Sequence, residues 1–306
     1  MHSSSEKKWL EVHGLEHWSL YYTDYGNDLQ KRFFDCFLKD DDSGWKDQPR
    51  VSLNVRSEGE KFYLRGEEDW PIPRTEWTKF YLKADGHLLS PEEQVGEENI
   101  SYKSTGDGVT FVSTPMEKDT EFCGPIASKV WVSSDTKDAD LFLVVRVFTP
   151  DFKEVVFHGA LDPHTPVASG WLRASHRALD KDRSTEWAPF HTHKKAEPLT
   201  PGEIYELDIE IHASGMVIPE GYRVALSIRG RDYVYPGEPD AGLSNMKNQF
   251  TGVGPFLHDD LDNRPEDVFD NQVTIHIGPD RPVSYTHLRA HETKANRVCR
   301  LLLEKK

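Results

Sequence analysis

Apolar and polar positions change rhythm along this chain. Near the start, Leu10-Glu11-Val12 reads as a short buried strand, and the loop after it carries His13 and His17. Leu29, Phe33, Cys36 and Phe37 then recur at helical spacing and predict one apolar stripe on a helix, with Lys31, Arg32 and Asp35 facing away from it. Asp24 is the expected N-cap, although Gly26 and Asn27 allow a start one turn later. The helix is expected to stop at Asp40-Asp41-Asp42-Ser43-Gly44, a solvated acidic loop without the oxygen spacing of a calcium loop.

From Val51 onward the period is two. Val130-Trp131-Val132 and the run from Leu141 to Phe148 read as strands. Tyr205, Leu207, Ile209 and Ile211 alternate with Glu206, Asp208 and Glu210, as a strand with one wet face does. Tyr222, Val224, Leu226 and Ile228 alternate in the same way, and so do Val273, Ile275 and Ile277. Asp85-Gly86, Asp107-Gly108, Pro150-Asp151 and Pro201-Gly202 supply turns. Many strands without intervening helices predict an antiparallel sandwich, a jelly roll, with long connections around 162–198 and 230–265.

Composition then narrows the function classes. The 306 residues carry 37 Lys and Arg against 52 Asp and Glu, a net charge of −15. Such a surface repels phosphate backbones and anionic membranes, so neither nucleic acid nor a membrane is an expected partner. No apolar run is long enough to span a bilayer, and the first residues lack the apolar centre of a signal peptide. Cys36, Cys123 and Cys299 form no metal or disulfide spacing and are expected as free thiols in the cytoplasm. The final segment, 283–306, is basic where the rest is acidic. Its run Ser284-Tyr285-Thr286-His287-Leu288-Arg289-Ala290-His291-Glu292-Thr293 resembles the translation of a sequencing adaptor, so 283–306 is expected to be a non-native tail outside the fold.

The candidate chemistry rests on histidines. His17 and His13 can act as bases, because an imidazole takes and returns a proton near neutrality. His158, His164, His176, His191 and His193 cluster in one long stretch, and His191-Thr192-His193 would present two nitrogens from one strand face. No Cys or carboxylate completes a metal site there, and His258-Asp259-Asp260-Leu261-Asp262 reads as a polar loop; no metal and no cofactor is expected. The Gly-x-Ser-x-Gly elbow of a serine hydrolase is missing, and Ser43-Gly44, Ser169-Gly170 and Ser214-Gly215 read as turns. The run Trp70-Pro71-Ile72-Pro73-Arg74-Thr75-Glu76-Trp77 offers either packing plugs or an aromatic sugar platform.

Several runs together carry a resemblance. They are Arg32-Phe33-Phe34-Asp35, Asp69-Trp70-Pro71, Asp138-Ala139-Asp140-Leu141-Phe142, Gly159-Ala160-Leu161-Asp162-Pro163, Gly170-Trp171-Leu172-Arg173-Ala174-Ser175-His176-Arg177, Pro198-Leu199-Thr200-Pro201-Gly202-Glu203 and Gly278-Pro279-Asp280-Arg281-Pro282. In order and spacing the chain resembles the C-terminal half of the CocE/NonD family of serine hydrolases, which includes cocaine esterase and X-Pro dipeptidyl-peptidases. The resemblance implies three segments: 1–44, the last strand and helix of a truncated α/β-hydrolase domain; 45–282, a mainly β, galactose-binding-like jelly-roll domain; and the tail. It also implies a catalytic histidine closing a Gly-Pro-Trp-x-His run after the last core strand. Register places His17 there, with His13 second, although His13-Gly14-Leu15-Glu16 replaces the usual flank. The nucleophile, the triad acid and the oxyanion hole of the family lie upstream. The implied partners are a missing N-terminal α/β-hydrolase domain and a small ester or amide substrate, and a homo-oligomer is compatible. The chain alone is expected to be inactive. A free-standing jelly roll that binds a carbohydrate or a protein is the rival reading.

Overall fold

A computed structural model describes residues 4–14, 18–159, 162, 164–237, 252–253 and 256–290, the last four by backbone alone. The chain divides into two compact units, Met1–Pro73 and Arg74–Lys306.

The first unit begins with strand β1 (Leu10–Val12), a 3-10 turn at Ser19–Tyr22 and helix α1 (Asp24–Lys39). Strands β2 (Val51–Ser57) and β3 (Lys61–Glu67) follow. β1 lies parallel to β2, with Leu10 opposite Val51 and Val12 opposite Leu53, so β1, α1 and β2 form a helical crossover of parallel strands. β2 turns back into antiparallel β3. This pairing explains why the compact unit ends at Pro73 and not near Gly44: the period-two runs of β2 and β3 belong with β1 and α1.

α1 starts one residue before the expected cap. Thr23 has the extended backbone that a cap requires, and its Oγ1 accepts from the Gly26 N–H at 3.0 Å. Asp24 is instead the first helical residue, where its charge meets the positive end of the helix dipole. At the far end Asp40 turns left-handed (φ 53°), and the Asp41 N–H closes the helix on the Asp35 carbonyl at 3.1 Å. The predicted stripe packs within this unit: Phe33 and Phe37 meet Trp45 and Trp9 with ring centroids 5.0–6.4 Å apart. Asp35 differs from its expected outward position. It is buried, and Lys31 and Lys39 clamp its carboxylate, which keeps it below the usual range.

The second unit is mainly β. Its strands are β4 (Thr75–Lys83), β5 (Leu88–Ser90), β6 (Glu98–Lys103), β7 (Val109–Ser113), β8 (Thr120–Ser134), β9 (Asp140–Phe148) and β10 (Glu154–Val155). β11 (Ala168–Arg173), β12 (Tyr205–Ile218) and β13 (Arg223–Arg229) precede the one-turn helix α2 (Glu266–Phe269). β14 (Gln272–Ile277) and β15 (Ser284–Ala290) complete the set. Hydrogen-bonded neighbours run β12-β8-β15-β4-β5-β7-β13-β9-β10, while β14 joins β8 to β6 and β11 joins β9. Within the unit these pairs are antiparallel except β5 with β7. The wet face expected for β12 is present: Leu207, Ile209 and Ile211 are buried and Glu206 and Glu210 exposed. β9 and β13 are buried along nearly their whole length, and Val130, Leu141, Leu143, Leu226 and Ile275 sit together in the core.

Two expectations change here. Ser169-Gly170 and Ser214-Gly215 lie inside β11 and β12, not in turns. A Cβ on Gly170 would stand 2.1 Å from the Glu210 carbonyl oxygen, so glycine lets the β11 backbone pass directly over β12. Second, part of the segment set aside on composition is a strand. β15 pairs with β4 on one side and β8 on the other, and Val283 and Tyr285 are fully buried. Charge marked the segment as foreign, but a strand between two neighbours needs only apolar alternation and a free backbone, and Val283 and Tyr285 supply the alternation. Residues 291–306 lie outside the described residues.

Candidate functional site

The loop after β1 is the first candidate. Its strand sets Glu11 in a half-buried polar group. Tyr25, on the first turn of α1, donates its Oη to Glu11 Oε1 at 3.0 Å. Burial raises the Glu11 carboxyl above its usual range, against the Tyr25 and Ser52 contacts that lower it. Burial, and then the Glu11 charge, pushes the Tyr25 phenol up to about 12. His13 is half-buried, and its Nδ1 is buried with no hydrogen-bond partner among the described residues. His17 lies outside the described residues. A general base needs a carboxylate on the ring nitrogen that faces away from the nucleophile.

The second candidate is the histidine stretch of the larger unit. The structure brings His176, His191 and His193 together: the Nδ1 atoms of His176 and His193 are 3.4 Å apart, and the His191 and His193 rings lie 5.8 Å apart. Burial, with His193 next, lowers the His191 pKa. His164 is elsewhere, buried and stacked on Tyr235 at 4.7 Å. Among the described residues no group of three or more His, Cys, Asp or Glu is arranged to hold a metal ion.

A third arrangement joins residues that nothing in their spacing connects. Asp232, nearly buried after β13, accepts from the His258 backbone N–H at 2.6 Å and meets His258 Nδ1 at 2.9 Å. The Trp171 indole N–H donates to His258 Nε2 at 2.9 Å. This fixes the tautomer: Nδ1 donates to Asp232 and Nε2 accepts. The pair has the outline of an acid–base dyad, yet the lone pair a base would use is filled by an indole. His258 is therefore a strut. It lines a cavity of about 540 Å³ with Lys103, Arg231, Val234, Leu257, Leu261 and Arg264 among its walls. Each basic group there is already paired: Lys103 with Asp270, Arg231 with Asp107, Arg264 with Asp140 and His258 with Asp232. The Asp107 carboxyl is held low by Arg231 and the Asp270 carboxyl by Lys103. Among the described residues, an anionic ligand would find no free cation in this cavity.

One serine meets a histidine. Ser133 Oγ and His276 Nε2 are 2.8 Å apart, and burial lowers the His276 pKa, with Arg281 adding to it. Ser133 lies flat in β8, in register with Thr274, and not on the strained turn that exposes a nucleophile beside free backbone donors. Of the aromatic run, Trp77 stacks on Trp187 at 4.2 Å, which covers one indole face, and Ile72 is buried. Cys36 and Cys123 are free thiols. Among the described residues no helix is long and apolar enough to cross a membrane.

The Asp232–His258 pair escaped sequence reading because its members are 26 residues apart in a stretch without periodicity. The run from His258 to Asp262 read only as a polar loop.

Comparison with known proteins places this geometry in a family. Residues 43–287 match the model of the X-Pro dipeptidyl-peptidase C-terminal non-catalytic domain. The crystal structure of a CocE/NonD family hydrolase from Staphylococcus aureus superposes with a TM-score of 0.81 at 29% identity, over 94% of this chain and 50% of that one. The cocaine esterase of Rhodococcus sp. (strain MB1 Bresler) is 23% identical over 243 residues, 67% of this chain and 38% of the esterase. An aminopeptidase from a marine sediment archaeon shares the fold, with a TM-score of 0.57 at 14% identity, over 88% of this chain and 45% of that one. The chain thus spans half or less of the length of these relatives. It belongs to the X-Pro dipeptidyl-peptidase C-terminal non-catalytic domain family, as the C-terminal domain of a CocE/NonD-family protein.

Proposed function

We propose that this chain is the C-terminal part of a CocE/NonD-type serine hydrolase that transfers an acyl group from an ester or amide to water. The segment 1–44 is then the last strand and helix of its α/β-hydrolase domain, and the segment from 45 onward, β15 included, a galactose-binding-like jelly roll that packs on that domain and helps wall its active site. In the whole protein a serine Oγ attacks the acyl carbonyl while His17 takes its proton and then delivers it to the leaving group; His13 is the second choice.

The observation that carries this reading is the crossover of β1, α1 and β2. Parallel strands joined by a helix belong to sheets covered on both faces. Here β1 has a strand partner on one edge alone among the described residues, and Phe34 and Leu38, a turn apart on α1, are exposed, Leu38 by 76%. Such an element is stable in a larger parallel sheet and incomplete by itself. The carbohydrate-binding rival needs a free aromatic face, and Trp77 shares its face with Trp187.

Incubating this chain with p-nitrophenyl acetate tests the reading. The expected result is no turnover above buffer, because the described residues present no activated nucleophile. Turnover that disappears in His17→Ala or Ser133→Ala would show that the catalytic machinery lies within these residues and would sink the proposal.

A further inference from the structure

The histidine stretch of the larger unit makes a contact that its spacing does not foretell. His193 faces not only its sequence neighbour His191 but also His176, 17 residues back. His176 ends the 3-10 turn Ala174–His176 that follows β11. That turn is fixed to its surroundings: the Ala174 N–H donates to the Ala139 carbonyl at 2.8 Å, and the Ser175 N–H to Asp138 Oδ1 at 2.9 Å. The segment carrying His193 is tied to the same region on both sides. The Thr192 N–H donates to the Ala178 carbonyl at 2.9 Å, and the Glu197 N–H to the Ser175 carbonyl at 2.7 Å. Between these two ties His193 adopts a left-handed backbone, φ 47°. Residues other than glycine seldom take that conformation, and it costs backbone strain. Here the strained residue is the one whose ring meets His176.

The two rings meet as a pair of metal ligands does. Imidazole nitrogens bound to one tetrahedral metal at about 2.0–2.1 Å stand about 3.4 Å apart, with ring centres about 5.2 Å apart. The Nδ1 atoms of His176 and His193 are 3.4 Å apart and their ring centroids 5.4 Å. As a hydrogen bond 3.4 Å is long, and it would need one ring to carry its proton on Nδ1 opposite the lone pair of the other. His193 is exposed and His176 half-buried, so water has room to complete a coordination shell. We propose that His176 and His193 form a two-histidine clip for a divalent transition metal, zinc, copper or nickel, which staples the 190–194 segment to the turn after β11. Imidazole suits these metals, whereas calcium and magnesium take oxygen ligands. Among the described residues no group of three or more ligands is arranged around a metal, so this is an open, exchangeable site and not a closed four-ligand one. Lys194 and Lys195 are exposed beside His193 and oppose a cation, which weakens the clip. His191 stands outside it, with its ring 5.8 Å from that of His193.

Titration calorimetry of the full chain, without a purification tag and stripped with EDTA, tests the clip with zinc chloride and with magnesium chloride. The expected result is a tightest zinc step of one ion per chain and no binding of magnesium. His176→Gln and His193→Asn each remove one ligand; asparagine is chosen because it tolerates the left-handed backbone. Losing an outer partner of a ligand already costs a metal site about 10- to 100-fold, so each variant should lose at least about tenfold in zinc affinity. Two controls should stay within about twofold: His191→Phe, and His212→Gln at an exposed histidine that packs on Trp171. Urea midpoints in EDTA check that the variants fold. Hydrogen exchange of the parent needs no variant: zinc should slow it at 190–194 and leave β9 unchanged. A tightest step that survives His176→Gln or His193→Asn, or that a control removes as fully, places the metal elsewhere and overturns the clip. So does a parent that binds no zinc, or one whose exchange at 190–194 zinc does not alter.

Discussion

The two compact units spend their apolar residues differently. In Arg74–Lys306 the large aliphatic side chains of β8, β9, β12 and β13 disappear from solvent and pack against one another. Among the described residues of Met1–Pro73 the buried apolar side chains are Trp45, Val51, Leu53, Val55 and Ile72, while Tyr21, Tyr22, Phe34 and Leu38 remain exposed. The larger unit closes its own core. The smaller one has an aromatic cluster on one side of α1 and unspent apolar surface on the other. The difference teaches where stability resides and which unit expects more protein around it.

The sharpest way to break this comparison is to cut matched holes. Leu143 is fully buried among the core strands, so Leu143→Ala should cost about 2–5 kcal/mol, from lost transfer energy and the cavity left behind. Phe33 is only half-buried in its cluster with Trp45 and Phe37, and Phe33→Ala should cost roughly 1.5–2.5 kcal/mol, about half the range for a fully enclosed ring. Urea unfolding followed by tryptophan fluorescence measures both. Equal costs would mean that the smaller unit closes its core as well as the larger one does.

The next effect concerns the loop at 256–264. Arg264→Ala removes two hydrogen bonds to backbone carbonyls and one of the two guanidinium groups at Asp140. Arg173 still faces that carboxylate, so the cost should stay near 1–3 kcal/mol and below that of a fully orphaned buried charge. Hydrogen exchange should quicken at 256–264 and remain unchanged in β8 and β9. Unchanged protection at 256–264 would show that the loop does not depend on this arginine. A smaller effect belongs to the helix cap: Thr23→Ala removes the acceptor of the Gly26 N–H and should cost about 1 kcal/mol, seen as faster exchange in the first turn of α1. Asp24→Ala should do less, because Asp24 contributes charge and not the cap.

The sequence was legible where one period ran long enough to be read. The helix from Leu29 to Phe37, the continuous run of β9 and the alternation of β12 each stand where expected, because burial on one face or two leaves a direct trace. Other features left no such trace. The parallel pairing of β1 with β2 joins residues some forty positions apart, and a three-residue strand has no period of its own. β15 was hidden by a charge pattern that has no bearing on whether a backbone pairs. The contact of Asp232 with His258 depends on how a long loop folds back, which no local pattern encodes. Of the candidate base positions, His13 follows β1 as its neighbours implied, and that its Nδ1 has no partner among the described residues is visible only in three dimensions.

The smallest expected effect is a pH dependence confined to the larger unit. His191 is half-buried, with His176 and His193 beside it and Asp208 as the acidic neighbour. Burial, followed by the His193 charge, lowers its pKa below the ordinary value of 6.5, against a weaker opposing pull from Asp208. The sign follows from which state binds the proton. Above pH 6.5 the ring is neutral in both folded and unfolded chains and contributes nothing to pH dependence. As the pH falls below 6.5 the unfolded chain takes up a proton that the folded one refuses, so stability declines. The decline levels off once the pH passes the lowered folded value and both states are charged. His191→Phe keeps an aromatic ring and removes the titration, so its stability should be flatter than the parent's between pH 6.5 and the plateau. Phe33→Ala, in the other unit, should leave the parent's slope untouched. Urea midpoints collected from pH 7.5 to 5 decide the matter: parallel curves for the parent and His191→Phe would mean that burial does not hold His191 neutral. A slope that vanished only in His176→Phe would move the effect to the ring facing His193.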